Sequence, residues 1–405
     1  MNPVYRIYLA AFLLDGALMV GNTALPFYVF DHLGGTAALT GGIGSAQSLI
    51  YAAVCLASTL FVARLRNGAE LAVLGAMIFG GLFSLGHLSS NIWVYSAGVS
   101  FAAAGMSLVW PALHSWLGAE PNPARRTRLM GAFSISWSMG LAVGPLIGGY
   151  LYVVDHRLPV VGVFVMSAGA AWLLYRLPAE TVHEVNDDTP VLSMQERLRL
   201  ERLIASTWVA NGLGWALVIV TRMVFPKQMN DLVANGELRI LFEEQAPALL
   251  TYGAARIYGI LAFVLSFTSC VMYLTLGHTS WWHGRFSLLV TVQIAAAIAV
   301  WLLGATTSVV VMALCFAVIG ANCGVCFFAA SYYCTVNPEK KHRRLAINEG
   351  VVGMGGFAAP FGLGYFANEY GIEASFKYTP VLVLLLLLAQ VALLVRARKN
   401  AAAAG

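Results

Sequence analysis

The sequence predicts an all-α membrane protein of twelve transmembrane helices, arranged as two six-helix repeats around a central cavity, and three observations predict it. Apolar residues make up 59% and charged residues 11% of the 405-residue chain. An average soluble domain carries roughly 25% charged residues, so most of this chain cannot face water. Twelve apolar runs have bilayer-crossing length and divide as six plus six. Finally, a shift of 215 positions aligns Phe101, Ala102, Gly105, Asn122, Pro123, Arg128, Met139, Gly140, Pro145, Gly149 and Tyr150 with Phe316, Ala317, Gly320, Asn337, Pro338, Arg343, Met354, Gly355, Pro360, Gly364 and Tyr365, without a gap. The chain is therefore built from two like halves, with boundaries expected at 1–177 and 203–399 and a cytoplasmic linker at 178–202.

The first run, 4–30, spaces Tyr8, Asp15, Met19, Asn22 and Pro26 by 7, 4, 3 and 4 residues, which puts them on one helical face. The second, 37–62, carries Gln47, and the fourth, 92–117, carries His114 beside Trp110 and Trp116. In the fifth, 128–152, Gly140, Gly144 and Gly148 recur every four residues as a bare stripe for close helix packing, with Pro145 inside it. The seventh, 203–229, repeats the polar face of the first with Asn211, Trp215, Val218, Arg222 and Pro226. Arg256 enters the eighth, 252–276; Asn322 lies in the tenth, 308–335; Glu349 opens the eleventh, 345–368. The third, sixth, ninth and twelfth runs (70–90, 159–177, 286–305, 378–395) hold almost no polar groups and are expected to face lipid. The others surround something polar, because an ionisable or amide group in a span normally faces a partner or a watery cavity.

With the loops after odd-numbered spans placed outside, eighteen Lys and Arg fall inside, four outside (Arg157, Lys227, Arg239, Lys377) and two within spans. The positive-inside rule then puts both termini in the cytoplasm. This asymmetry accounts for the net charge of +5 without a nucleic-acid partner. The N-terminal run, interrupted by Asp15 and lacking a small-residue cleavage site, is read as an uncleaved first span. All six cysteines fall within spans, so no disulfide framework, loop metal site or cofactor is implied; Cys323 and Cys326 form a CxxC better suited to small-residue packing. Short loops without an Asn-x-Ser/Thr sequon favour a prokaryotic inner membrane. In the linker, Ser193 with Glu196 three residues on is a capping box for a surface helix from 194. The insertion at 230–250 contains LRILFEEQ, either a short amphipathic helix over the outer mouth or a spacer.

Gly131, Gly140, Gly144, Pro145, Gly148 and Gly149 spell G-x8-G-x3-G-P-x2-G-G. This resembles the fifth-helix antiporter motif of the major facilitator superfamily, found mainly among drug/proton antiporters, and the resemblance covers almost the whole chain. It implies two bundles that rock around a midplane substrate site by alternating access. The loop after span two, Ala63-Arg-Leu-Arg-Asn67-Gly68, and that after span eight, Gly277 to Arg285, lack the acid that such loops usually carry. Val99 stands twelve residues before Pro111, where proton antiporters of the family carry an arginine.

Asp15 is the one carboxylate deep in the first half. A carboxyl at that depth is suited to load and release a proton, and proton coupling is its favoured role against a bland packing one. Glu349, near Arg343 and Arg344, reads first as an inner-mouth ion pair, and His114 as a structural ring; both stand behind Asp15 as proton relays. Substrate-binding candidates are Asn22, Gln47, Trp137, Asn211, Trp215, Arg222, Arg256 and Asn322, the aromatics suiting a moderately hydrophobic or aromatic molecule. Trp110, Trp208, Tyr51, Tyr258, Tyr332 and Tyr333 serve either as lining or as interface anchors. The conformational seam comprises Gly140, Gly144, Pro145, Gly148, Gly149, Gly355 and Pro360. Arg222 and Arg256, read as lying near the outer ends of their spans, either snorkel outward or pair with Asp31, Glu243 or Glu244, or together form an anion receptor.

The sequence thus reads as a monomeric secondary transporter that exports or exchanges a small organic molecule, coupled to protons. The rivals are an organic-anion importer using Arg222 and Arg256 and a transporter-fold sensor that binds without moving its ligand. No Walker loop, Gly-x-Ser-x-Gly elbow or His-Glu-x-x-His is present, which sets an enzyme aside.

Overall fold

The computed structural model describes residues 2–62, 68–118, 123–175, 177, 200–240, 253–335 and 341–403. Thirteen α-helices lie among them: α1 (Pro3–His32), α2 (Ala37–Val62), α3 (Gly68–Gly86), α4 (Ile92–Gly118), α5 (Pro123–Val154), α6 (Leu158–Leu174), α7 (Ile204–Met223), α8 (Phe225–Ala234), α9 (Ala254–Gly277), α10 (Phe286–Leu303), α11 (Val309–Thr335), α12 (Lys341–Tyr370) and α13 (Ile372–Ala403). Eleven spans are long and apolar enough to cross a membrane, α7 and α8 together making one, and α6 adds a shorter apolar helix of 17 residues. These are the twelve spans expected, in the expected places. One compact unit takes the described residues within Met1–Pro190 and Tyr252–Phe263, the other those within Val191–Thr251 and Val264–Gly405.

The first and seventh spans show local reasons for where helices begin and end. Asn2 caps α1 by accepting from Val4 N at 3.0 Å, and Pro3 opens the helix where its missing N–H costs nothing. The α7–α8 break falls at Val224, so Pro226 sits in the first turn of α8 instead of ending the span. The span therefore runs on to Ala234.

The third, sixth, ninth and twelfth spans do present apolar side chains outward: Leu74 and Leu85, Phe164 and Trp172, Ile298 and Trp301, Leu385 and Leu388 are all exposed. Apolar surface on this scale is stable in lipid and not in water. Yet the ninth and twelfth spans are not purely greasy. Gln293 of α10 and Gln390 of α13, both fully buried, exchange two amide hydrogen bonds of 3.0 and 2.7 Å.

Two loop expectations meet the structure. Arg239 bridges to Ser308, its N–H donating to Thr307 O at 3.0 Å and its carbonyl accepting from Val309 N at 2.9 Å. The start of LRILFEEQ is thus extended, not helical; the rest of that segment and the capping box at 193–196 lie outside the described residues. After α9, where the family's acid is absent, Trp282 plugs the core instead. It is 2% exposed, donates its Nε1–H to Leu276 O (2.9 Å) and Thr279 O (2.8 Å), and packs edge-on to Phe328 and Tyr332. Gly284, at φ 70°, then donates its N–H to Tyr333 Oη at 3.0 Å.

Candidate functional site

In the first unit the site grows from the α1–α5 contact. A methyl group on Gly140 would lie 2.9 Å from Gly16 N and 3.2 Å from Asp15 Cβ; on Gly144, 2.6 Å from Met19 Cβ and 2.7 Å from Gly16 O; on Gly148, 2.6 Å from Val20 O. The stripe is bare because backbone meets backbone. Asp15, 5% exposed, is held in this seam. Two helical turns before Asp15 on α1, Ser136 donates to Tyr8 O at 2.6 Å and Tyr8 donates to Leu129 O at 3.0 Å, tying the same two helices. Pro145 and Gly149 face away from α1: a methyl on Gly259 would lie 2.5 Å from Pro145 O, and one on Gly149 3.2 Å from Arg256 Cα.

Two turns beyond Asp15, Asn22 accepts from Gln47 Nε2 at 3.3 Å, and the same amide reaches Val99 O at 3.4 Å, so α1, α2 and α4 are linked. Trp137 is half-buried on α5. His114 meets Phe133 edge-on at 5.1 Å, away from Asn22 and Gln47. The guanidinium of Arg256 lies 4.8 Å over the Tyr150 ring, and Asp31 accepts from Tyr152 Oη at 2.8 Å. Glu243 and Glu244 lie outside the described residues.

The second unit repeats the device with other chemistry. Gly355 packs on Gly212 as Gly140 packs on Gly16, a methyl there lying 2.9 Å from the Gly212 carbonyl carbon. Asn211 thus stands where Asp15 stands in the first unit. It is fully buried and donates to Asn348 Oδ1 at 3.0 Å, linking α7 to α12, which carries Pro360 in its interior. Glu349 is half-buried on α12, while Arg344 pairs with Glu201 at 3.3 Å. Arg222 stands in the last turn of α7, next to its final residue Met223 and just ahead of the break at Val224. It is 7% exposed, and its Nη2 donates to Ser266 Oγ at 3.5 Å. Trp215 stacks edge-on to Phe327 (6.1 Å), which meets Tyr273 (5.7 Å). Asn322 is fully buried on α11, its Oδ1 accepting from Cys326 Sγ at 3.5 Å.

Ser266, Tyr273, Phe327 and Asn348 were not picked out from sequence. Only Asn348 offered a signal, an amide beside Glu349 on a helix that repeats the fifth span. Of the aromatic candidates, Tyr258 packs on Phe27 (5.7 Å), Trp208 donates to Cys334 Sγ (3.2 Å), and Tyr332 stacks on His283 (4.5 Å).

Comparisons with known proteins agree with this architecture. The chain is similar to a bacterial homologue of the human lysosomal transporter Spinster, solved inward-facing and unoccupied (TM-score 0.68, 14% identity, 98% of each chain covered). It is similar also to the nucleoside transporter NupG (TM-score 0.72, 13% identity, 97% of this chain and 99% of that one). A POT family transporter in complex with a thioalcohol-conjugated peptide matches comparably (TM-score 0.73, 13% identity, 98% and 96%). At such identities the likeness speaks for fold. No match is found among curated protein sequences. The model of the Major Facilitator Superfamily matches residues 7–231, more than half of the chain. With twelve spans in two repeated halves and a glycine seam in the fifth, the chain belongs to the Major Facilitator Superfamily.

Proposed function

We propose that this transporter exports or exchanges a small organic molecule coupled to protons, as a monomer in a prokaryotic inner membrane with both termini inside. Asp15 is the proton carrier in this reading. The observation that carries it is the pairing of Asp15 with Asn211 at equivalent positions of the two units: one titratable, one not, each beside the glycine that lets its helix approach its neighbour. A group placed there changes its surroundings whenever the seam moves, so protonation and helix position are linked. Glu349 and His114 are second in line.

A second reading, transport of an organic anion, is favoured by the burial of Arg222. Purified protein in proteoliposomes separates transport from sensing. A transporter exchanges labelled for unlabelled ligand and accumulates it against its gradient when a pH difference is imposed, and a protonophore abolishes the accumulation. A sensor binds ligand and gives no counterflow.

A further inference from the structure

The second unit gathers hydrogen-bond donors on one face. Trp215 and Arg222 are seven residues apart on α7 and so share that face. The Trp215 Nε1–H is buried with no hydrogen-bond partner in the protein. Across from it, fully buried Asn322 uses its carbonyl oxygen for Cys326, which leaves the amide nitrogen turned toward α7, 3.8 Å from where a Cβ of Gly214 would stand and likewise without a protein partner. The side chain of a helical residue leans toward the helix N-terminus, so Arg222 reaches back toward this level; Tyr273 and Cys323 are within its electrostatic range. Rings of Trp215, Phe327 and Tyr273 form the adjoining wall.

We infer that Arg222, Trp215 and Asn322 form a subsite in the second unit for a substrate that joins a carboxylate to a flat aromatic body. The carboxylate takes the guanidinium in charge-assisted bonds, the ring lies along Phe327 and Tyr273, and the indole and amide N–H groups donate to acceptor oxygens. A buried unmet donor is unfavourable by itself, and an acceptor-bearing ligand relieves it, whereas an ammonium would face the like charge of the guanidinium. This inference rests on the transport reading for its place in the cycle but not for its test, and it holds for either direction of transport.

The test is equilibrium binding to the full chain in detergent with three probes of one shape: indole-3-acetate, indole-3-acetamide and tryptamine. Indole-3-acetate is expected to bind at least tenfold more tightly than either of the others. Arg222→Gln should erase its advantage over the amide, and Trp215→Phe, which keeps a ring and removes the N–H, should weaken it severalfold without lowering the melting temperature of the free protein. Equal or tighter binding of tryptamine, no binding of any probe, or undiminished carboxylate preference in Arg222→Gln would overturn the subsite. If Arg222→Gln does not fold, an unchanged affinity in Trp215→Phe does so. Carboxylate binding without counterflow would sink the transport reading and leave the subsite standing.

Discussion

At His87 a single residue sets a pH dependence. Its ring is boxed by Phe83 (5.0 Å), Tyr28 (5.0 Å) and Tyr95 (4.7 Å), and donates Nδ1–H to Phe83 O at 3.0 Å. Burial pushes its pKa down from 6.5 to about 4. The unfolded chain therefore binds more protons here, and the contribution of His87 to stability, in full above pH 6.5, is lost as pH falls toward 4. The ceiling is about 3 kcal/mol. The melting temperature of the wild type should drop between pH 7 and pH 4.5 by clearly more than that of His87→Phe; equal drops would mean that His87 takes up its proton equally in the folded and unfolded states. Sequence reading passed over His87 because a lone histidine near the end of a span carries no pattern. Arg222 was legible as an intramembrane charge near the end of its helix, but its burial and its bond to Ser266 were not, because they depend on a contact with α9.

Among the elements, the α1–α5 seam was the most legible, because a four-residue glycine period admits one packing face. The structure adds that the stripe touches backbone and the Cβ atoms of Asp15 and Met19, which no rotamer change can move aside. Gly144→Leu should lower the melting temperature sharply and reduce transport below a tenth, and even Gly144→Ala should be measurably unstable, because overfilling a packed contact costs about 1–3 kcal/mol. A fully active Gly144→Leu would show that these helices need not approach so closely. Opposite in legibility is the Gln293–Gln390 pair: each glutamine looks like an accident in an apolar run, and only contact 97 positions away explains it. Gln293→Leu leaves the Gln390 amide without its partner, and the loss should be about 1–2 kcal/mol. Adding Gln390→Leu should recover most of it, and an additive double mutant in thermal melts would contradict the pairing.

For the whole molecule, twelve spans, two repeats and family membership follow from run lengths and the 215-residue echo, since hydropathy and backbone satisfaction leave few alternatives in lipid. What pairs with what inside each unit did not follow, because Asn211 with Asn348, or Asn22 with Gln47, depends on contacts that periodicity cannot encode. The two units nonetheless keep one plan: a polar residue and a glycine on the first helix, a glycine on the fifth. The difference between them, aspartate against asparagine, is what the proposed mechanism uses. It is tested most directly by comparing wild type with Asp15→Asn in proteoliposomes, following labelled indole-3-acetate both under an imposed pH gradient and in counterflow without one. Coupling through Asp15 predicts that the variant keeps counterflow within a few-fold of wild type and loses accumulation against the gradient. Accumulation driven by the pH gradient at wild-type levels in Asp15→Asn would contradict it.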